Sequence, residues 1–272
     1  MEPDYVKLKE IKPALSGYIH EALVLLKKDP VPGDKAVHDI RVLMKKARAV
    51  MRLITSQVEV EAFEREYDTF REVGRIMRLW RDTSVHRKTL KDLKKEYPKI
   101  FSRALENKKL EELFLTSSKP ALQTGELSSQ IESINELLNK SGYRVRFQSL
   151  EKLDPKLLLA ELDGSFKQAA HRYMKCRNNP RPSNVHEFRK KAKDFLYQLY
   201  FFRPLNPTAV KNVEKRIDSI TQNLGKYNDL DQLIKTLEYK YKANSDSRAL
   251  DELILMIRTE QDGYLSRVWP AA

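Results

Sequence analysis

Cysteine is nearly absent. Cys176 is the only one in the chain, so no intramolecular disulfide can form, and a reducing compartment is the expected setting. Glycine is scarce, at eight residues. With Leu, Lys, Glu, Arg and Ala abundant, that scarcity favours helix over sheet. Strand-like alternation is weak throughout; YRVRF at 143–147 is the best candidate, and it is short. No run reaches the roughly 18 apolar residues that a membrane-crossing helix needs. The opening residues, MEPDYVKLKEIK, lack the apolar core of a secretory signal. The cytoplasm is therefore the expected location, with no membrane as partner. Also missing are a glycine-rich phosphate loop, a cysteine cluster and a serine nucleophile arrangement.

Acidic charge is outnumbered. Lys and Arg total 51 against 38 Asp and Glu, for a net charge of +13. A surface that positive attracts polyanions: nucleic acid, an anionic membrane or a phosphate polymer. Simple solubility rarely needs so large an excess of one sign. The 272 residues, 41% apolar and 33% charged, describe a soluble globular chain. There is room for one large domain or for two half-size units with their own cores.

The sequence contains itself twice. Around His38 it reads AVHDIRVLMKKARAVMRLI, and around His186 it reads NVHEFRKKAKDFLYQLYFF. Each copy begins Val-His-acid, then an apolar residue and Arg, with Lys seven after the His. A proline-bearing loop precedes each (DPVPGDK; NNPRPSN), and a helix with its own histidine, His20 or His171, precedes the loop. Downstream, RIMRLWRDTSV at 75–85 matches QNLGKYNDLDQ at 222–232. The offset stays at about 148 residues, which reads as a duplication with halves meeting between about 145 and 160.

Each half reads as helix, loop, long helix, turn, long helix and a fourth helix. Asp34 and Ser183 are the expected caps of the His helices, and Pro204 and Pro207 are expected to end the second. The stretch 106–141 is expected to supply the first half's last helix and the crossing to the second half.

On a helical wheel of about 100° per residue, Arg41, Lys45, Arg48 and Arg52 fall within roughly 80° of His38. Ile40, Leu43, Met44, Ala47, Val50, Met51 and Ile54 cluster opposite. In the second copy His186, Arg189, Lys190 and Lys193 share a face that Tyr197 and Tyr200 continue, against Phe188, Ala192, Phe195, Leu199 and Phe202. Arg71, Arg75 and Arg78 form a further stripe opposite Val73, Ile76, Met77 and Trp80. Lys211, Lys215, Gln222 and Lys226 align opposite Val213, Ile217, Ile220 and Leu224. His171, between Lys167 and Lys175, borders the set.

Like charges three and four apart repel by a few tenths of a kcal/mol per pair. Such stripes make sense where an anion normally sits on them. Arg matches two phosphate oxygens with a planar fork, Lys supplies a point charge, and neighbouring phosphates favour the protonated form of His. Two stripes related by symmetry would line a groove long enough for a polymer.

Two catalytic-looking signals carry less. His38-Asp39 spells the dipeptide of metal-dependent phosphohydrolases, but adjacent helical residues point about 100° apart, and cations surround them. The second copy has Glu187 in the place of Asp39. Glu59-Val60-Glu61 resembles the paired glutamates of triphosphate tunnel enzymes, with Phe63 where a basic residue belongs. Neither a catalytic residue, a metal site nor a cofactor is expected.

The segments VHDIRVLMKKARAVMRLI at 37–54, VHEFRKKAKDFLYQL at 185–199 and LGKYNDLDQL at 224–233 resemble the CHAD family, the conserved histidine α-helical domain. MRLWRDTSV at 77–85 departs from the pattern, with Arg78 in the glycine position and Ser84 in place of an Asp. The similarity spans nearly the whole chain. It implies an all-α fold of two pseudo-symmetric four-helix bundles, about 1–150 and about 151–272, around a basic central groove or pore. It further implies non-catalytic binding of inorganic polyphosphate and docking to polyphosphate granules. By the same resemblance His38, Arg41, Lys45, His186, Arg189 and Lys193 are the ligand residues, with Arg75, Arg78, Lys215 and Lys226 as companions. The rival expectations are nucleic-acid binding, on charge alone, and polyphosphate hydrolysis. Arg41 and Arg189 are expected to face away from the cores, so that exchanging both for Glu would remove binding and spare the fold.

Overall fold

A helix-forming composition meets well-placed prolines. Pro98, Pro155, Pro182 and Pro207 each open a helix, where their fixed φ suits the first turn and the missing N–H has no helical partner to lose. Asp154, just before Pro155, accepts a 2.8 Å hydrogen bond from the Lys156 N–H and caps that helix. The structure, a computed structural model, describes residues 5–105, 124–150, 152–241 and 248–269, without the side chains of 79, 81–88, 104, 105, 124, 125, 240 and 241.

Among the described residues there are nine α-helices and no strand: α1 (Leu8–Lys27), α2 (Asp34–Leu53), α3 (Val60–Glu96), α4 (Pro98–Leu105), α5 (Thr124–Phe147), α6 (Pro155–Asn178), α7 (Pro182–Leu199), α8 (Pro207–Tyr241) and α9 (Arg248–Ser266). Short 3₁₀ turns at Thr55–Gln57 and Tyr200–Phe202 follow α2 and α7.

Several expected boundaries change. Tyr143–Phe147 is the end of α5, not a strand; Ser141 and Val145, four apart and both fully buried, show the helical period there. Asp34 and Ser183 lie inside the first turns of α2 and α7. Gly33 and Arg181 hold the cap positions, with no side-chain cap bond. Asp34 instead adds negative charge where the helix dipole favours it. α7 stops at Leu199, before either proline, and Pro207 starts α8. Of the stretch 106–141, α5 takes the part from 124 onward and packs on α1 and α3; 106–123 lies outside the described residues.

The apolar faces read from the wheel are the buried ones, with Trp80, Ile217 and Ile220 half-buried. Ile40, Met44, Ala47, Met51 and Ile54 of the first copy are fully enclosed, as is Phe202 of the second. Val213 departs, at 41% exposed. The buried arc of α8 centres on Val210, Ile217, Thr221 and Leu224, which leaves Val213 at its edge. Enclosing each such Leu, Ile or Phe contributes roughly 1.5–3 kcal/mol relative to exposure.

α2 packs on α1 and α3, α7 packs on α6 and α8, and α2 and α7 pack on each other. The largest apolar cluster runs through that last contact, joining Ile40, Met44 and Phe70 to Leu158, Phe195 and Phe202. A second cluster draws Leu90 and Leu93, late in the long α3, and Phe101 of α4 onto Leu233 and Leu237 of α8 and Leu253 of α9. A third joins Cys176, Val185, Phe188, Leu224 and Val268.

One buried acid fastens α5 to α3. Glu66 is 1% exposed, accepts a hydrogen bond from Ser141 Oγ at 2.6 Å, and pairs with the Arg144 guanidinium. Exchanging Glu66 for Gln keeps the shape and leaves Arg144, which is 29% exposed, unneutralised. Discounting the buried-pair range for that exposure, the expected cost is about 2 kcal/mol in urea denaturation. Exchanging the solvated Glu136, which pairs with Lys140, should leave the midpoint where it is. Equal effects would contradict this account of α5.

Candidate functional site

The two His helices meet side on. Gln198 of α7, fully buried, donates through Nε2 to the Ala49 carbonyl of α2 at 3.0 Å. Three residues further along α2, Arg52 Nη1 lies 2.8 Å from Asp194 Oδ1 on α7. The positive charges of Arg189, Lys190 and Lys45 all reach His186. The crossing therefore brings cations of both copies into one region.

Each predicted ligand has a definite place. On α2, His38 is exposed while Arg41, Lys45, Arg48 and Arg52 are half-buried. Arg41 Nη1 donates to the Gly74 carbonyl of α3 at 2.7 Å. The guanidinium groups of Arg48 and Arg52 lie 6.0 and 4.9 Å from the centroid of the Tyr67 ring. Arg52 also hydrogen-bonds the Tyr67 hydroxyl. Burial lowers the pKa of Arg48, against the pull of Tyr67 and Asp194.

On α7, His186 and Lys190 are exposed, and Arg189 and Lys193 are half-buried. Arg189 Nε donates to the Thr221 carbonyl of α8 at 3.2 Å. A Cβ at Gly225 would stand 3.2 Å from Arg189 Nη2, so the glycine of the LGKYND segment gives the guanidinium its room. Lys193 Nζ donates to Asp218 at 2.9 Å, and Lys190 lies 3.7 Å from Glu187.

The outer stripes are exposed and paired with acids in part. Arg75 makes a two-pronged pair with Glu72, at 2.7 and 2.6 Å. Arg71 stands 3.7 Å from Asp68, and Lys226 stands 4.0 Å from Asp92. Arg78, Lys211, Lys215, Lys175 and His171 are exposed, and Lys167 pairs with Asp163 at 2.6 Å. A pairing of Arg78 with Asp82 falls on a side chain outside the described residues.

Two expectations are corrected. Arg41 and Arg189 do not simply face solvent; each ties its helix to a backbone carbonyl of the next one, so a double exchange for Glu would disturb packing as well as charge. The α2 stripe is not an unrelieved line of cations either. Arg48 and Arg52 turn onto Tyr67, and the chain's own carboxylates neutralise part of the charge. Tyr197 and Tyr200 are half-buried. Burial pushes the Tyr197 hydroxyl up to about 12, and Tyr200 donates to Glu10 at 2.7 Å.

The residue the wheel reading overlooked is Asp194. At about 100° per residue it falls roughly 80° from His186, on the edge of the same face. Burial raises its pKa, while Arg52, Lys191, Arg48 and Lys190 oppose the rise. Lys191, its other neighbour, has its own pKa lowered by burial. Tyr67, the platform under Arg48 and Arg52, carried no signal in the sequence, because its place depends on how α3 packs. Among the described residues, no three His, Cys, Asp or Glu side chains group closely enough to hold a metal ion, and no helix is long and apolar enough to cross a membrane.

A family model for the CHAD domain matches residues 19–238. The match covers most of the chain and both His helices, and the protein belongs to the CHAD domain family. No curated protein gives a significant match to it.

The two inward arginines and the outward lysine separate by stability. Losing the carbonyl bond in Arg41→Ala or Arg189→Ala should cost roughly 1–2 kcal/mol each, read as a lower thermal midpoint. Lys190→Ala should leave that midpoint in place. A Lys190→Ala variant as unstable as the other two would contradict the bracing role.

Proposed function

We propose that this chain binds inorganic polyphosphate, without turning it over, along a basic groove where its two His helices cross. The observation that carries the reading is the convergence of Lys45 from the first copy with His186, Arg189 and Lys190 from the second, in a chain of the CHAD family. A polymer with one charge per unit answers a row of cations better than a compact anion does. His38, Arg41, Lys45, His186, Arg189, Lys190 and Lys193 are the proposed lining, with Arg75, Arg78, Lys215 and Lys226 along the approaches.

Internal duplication, with two helical bundles about a pseudo-twofold axis, belongs to the same proposal. Its support is the matched bracing of Arg41 to the Gly74 carbonyl and Arg189 to the Thr221 carbonyl, at nearly the same sequence offset as the histidines. A cytoplasmic role at polyphosphate granules follows from the family's association with polyphosphate.

Stacking of single-stranded nucleic acid wants exposed rings among the cations. Tyr197 and Tyr200, the rings that continue this face, are half-buried and Tyr200 is engaged with Glu10, which favours the phosphate polymer. Calorimetric titration with long-chain polyphosphate, single-stranded RNA and duplex DNA at equal phosphate and near-physiological salt tests the choice. We expect tight binding of polyphosphate alone, weakening with salt at a log–log slope of about 0.7–0.9 per phosphate engaged. Lys45→Glu with Lys190→Glu should reduce it more than tenfold, on the order of 0.7 kcal/mol or more per lost contact. Equal binding of all three polymers would move nucleic acid to the front.

Binding should also take up protons. In the free protein His186, exposed at its edge but partly desolvated by the packing around it, is held below its usual 6.5 by that desolvation, with Glu187 pulling the other way and Arg189, Lys190 and Lys45 adding to the lowering. A bound polyanion raises that pKa, so the complex holds more protons than its parts between the two values. Affinity is expected to rise as pH falls from about 8 toward 6, and His186→Gln should flatten the rise. A pH-independent affinity in the unaltered protein would place His186 outside the site.

A further inference from the structure

The cation stripe of α8 is interrupted by an acid. Lys211, Lys215, Gln222 and Lys226 follow one another at helical spacing, and Asp218 stands between Lys215 and Gln222 on the same face. Both of its carboxylate oxygens are engaged. Oδ1 accepts from Lys193 Nζ of α7 at 2.9 Å, and Oδ2 accepts from Gln222 Nε2 at 2.7 Å. The pair is open to solvent: the Asp218 side chain is 44% exposed and that of Lys193 20%. The charges of Asp218 and Arg189 both reach the Tyr197 hydroxyl, so the carboxylate stands at the edge of the cationic crossing.

The matching helix of the first half is built differently. Gly74 and Thr221 supply the two equivalent carbonyls, and the same interval sets Arg71 against Asp218 and Arg75 against Gln222. Arg71 and Arg75 turn to exposed acids of their own helix, Asp68 and Glu72. Asp218 instead reaches across to the neighbouring helix and takes a cation of the His stripe. A carboxylate oxygen accepts from an ammonium much as a phosphate oxygen does. An arriving phosphate has to release Lys193 from Asp218 and then lie beside a negative charge. The long, flexible stem of lysine lets the ammonium change partner without moving the helix.

We infer that Asp218 is an internal competitor for the bound anion, an autoinhibitory contact that keeps Lys193 occupied until a ligand displaces it. The inference rests on the polyphosphate reading and deepens it. The second half of the groove is tempered by Asp218, while the first half carries an arginine at the matching place. Gln222 keeps the carboxylate aimed, because its amide holds the oxygen that Lys193 does not.

The test is calorimetric titration of the full chain with long-chain polyphosphate, unaltered protein against Asp218→Asn, with thermal unfolding of both. The variant should bind about tenfold more tightly. Its log–log salt slope should steepen by about 0.7–0.9, the signature of one further phosphate engaged. Its thermal midpoint should fall by about 1–3 °C, because a partly exposed pair is lost. Affinity that rises while stability falls marks a contact held against the ligand; a purely structural pair would leave affinity unchanged or lower it. Two further titrations isolate the cause. In a Lys193→Ala background the gain from Asp218→Asn should shrink to less than about twofold. Glu136→Gln makes the same change of charge on the exposed face of α5, and it too should gain less than about twofold. Unchanged or weaker binding by Asp218→Asn, an equal gain from Glu136→Gln, or a gain that persists without Lys193 would overturn the assignment, while binding by the unaltered protein would leave the groove in place. Binding by neither the unaltered protein nor Asp218→Asn would retire the groove and this inference together.

Discussion

The contact between α2 and α7 is the constraint on which the rest depends. Both helices carry cations on one face, and packing them together brings like charges close. Two features offset that repulsion. Apolar burial on the opposite faces runs continuously from Ile40 and Met44 through Phe195 and Phe202. A buried polar tie, Gln198 to the Ala49 carbonyl, then fixes the register, since a buried amide shifted by one residue would lose its partner and cost roughly 1–3 kcal/mol. Stability comes from the first feature and alignment of the two charged faces from the second.

The carboxylates sort the cations into two kinds. Exposed pairs such as Arg75 with Glu72 or Arg71 with Asp68 contribute little, and a polyanion of the kind proposed would displace such acids at small cost. Arg41, Arg189 and Arg52 are different. They are held by backbone carbonyls, a tyrosine ring and a half-buried acid, so their charge is present but their geometry is set. Preorganised donors of this kind need little rearrangement on binding. A polymer moving along the proposed groove would meet fixed arginines at the centre and adjustable lysines at the edge.

Much of this was legible in advance because helical period alone decides it. The apolar arcs of α2 and α7 follow the helical period throughout, that of α3 does so except at the half-buried Trp80, and on α8 Val213 lies exposed at an arc's edge. The histidine repeat and the family pattern needed nothing beyond spacing. What period cannot give is the partner across a helix–helix contact. Arg41 and Arg189 look solvent-facing on a wheel, yet a long side chain at a seam reaches over it to a neighbour's carbonyl. The place of Tyr67 depended on packing in the same way. Asp194 is the instructive miss: it lay on the same wheel face as the cations, and its charge, opposite to theirs, was the signal.

Gly225 of the LGKYND segment has a specific physical job, and the segment around Arg78 shows a like brace built without a glycine. Gly225 lies beside the Arg189 guanidinium, where any Cβ would come within 3.2 Å. The first copy has Arg78 at the matching position, and its brace, Arg41, bonds the Gly74 carbonyl, one turn earlier on the helix. In the second copy the carbonyl used is that of Thr221, also one turn before the motif position. The brace does not need a glycine at that position, because it anchors to backbone, which every residue supplies, at a carbonyl one turn upstream. A side chain is therefore accommodated at position 78, while both arginines keep the same bond to a neighbouring helix. The two arginines hold the charge of both helices beside one crossing although the side chains around them differ.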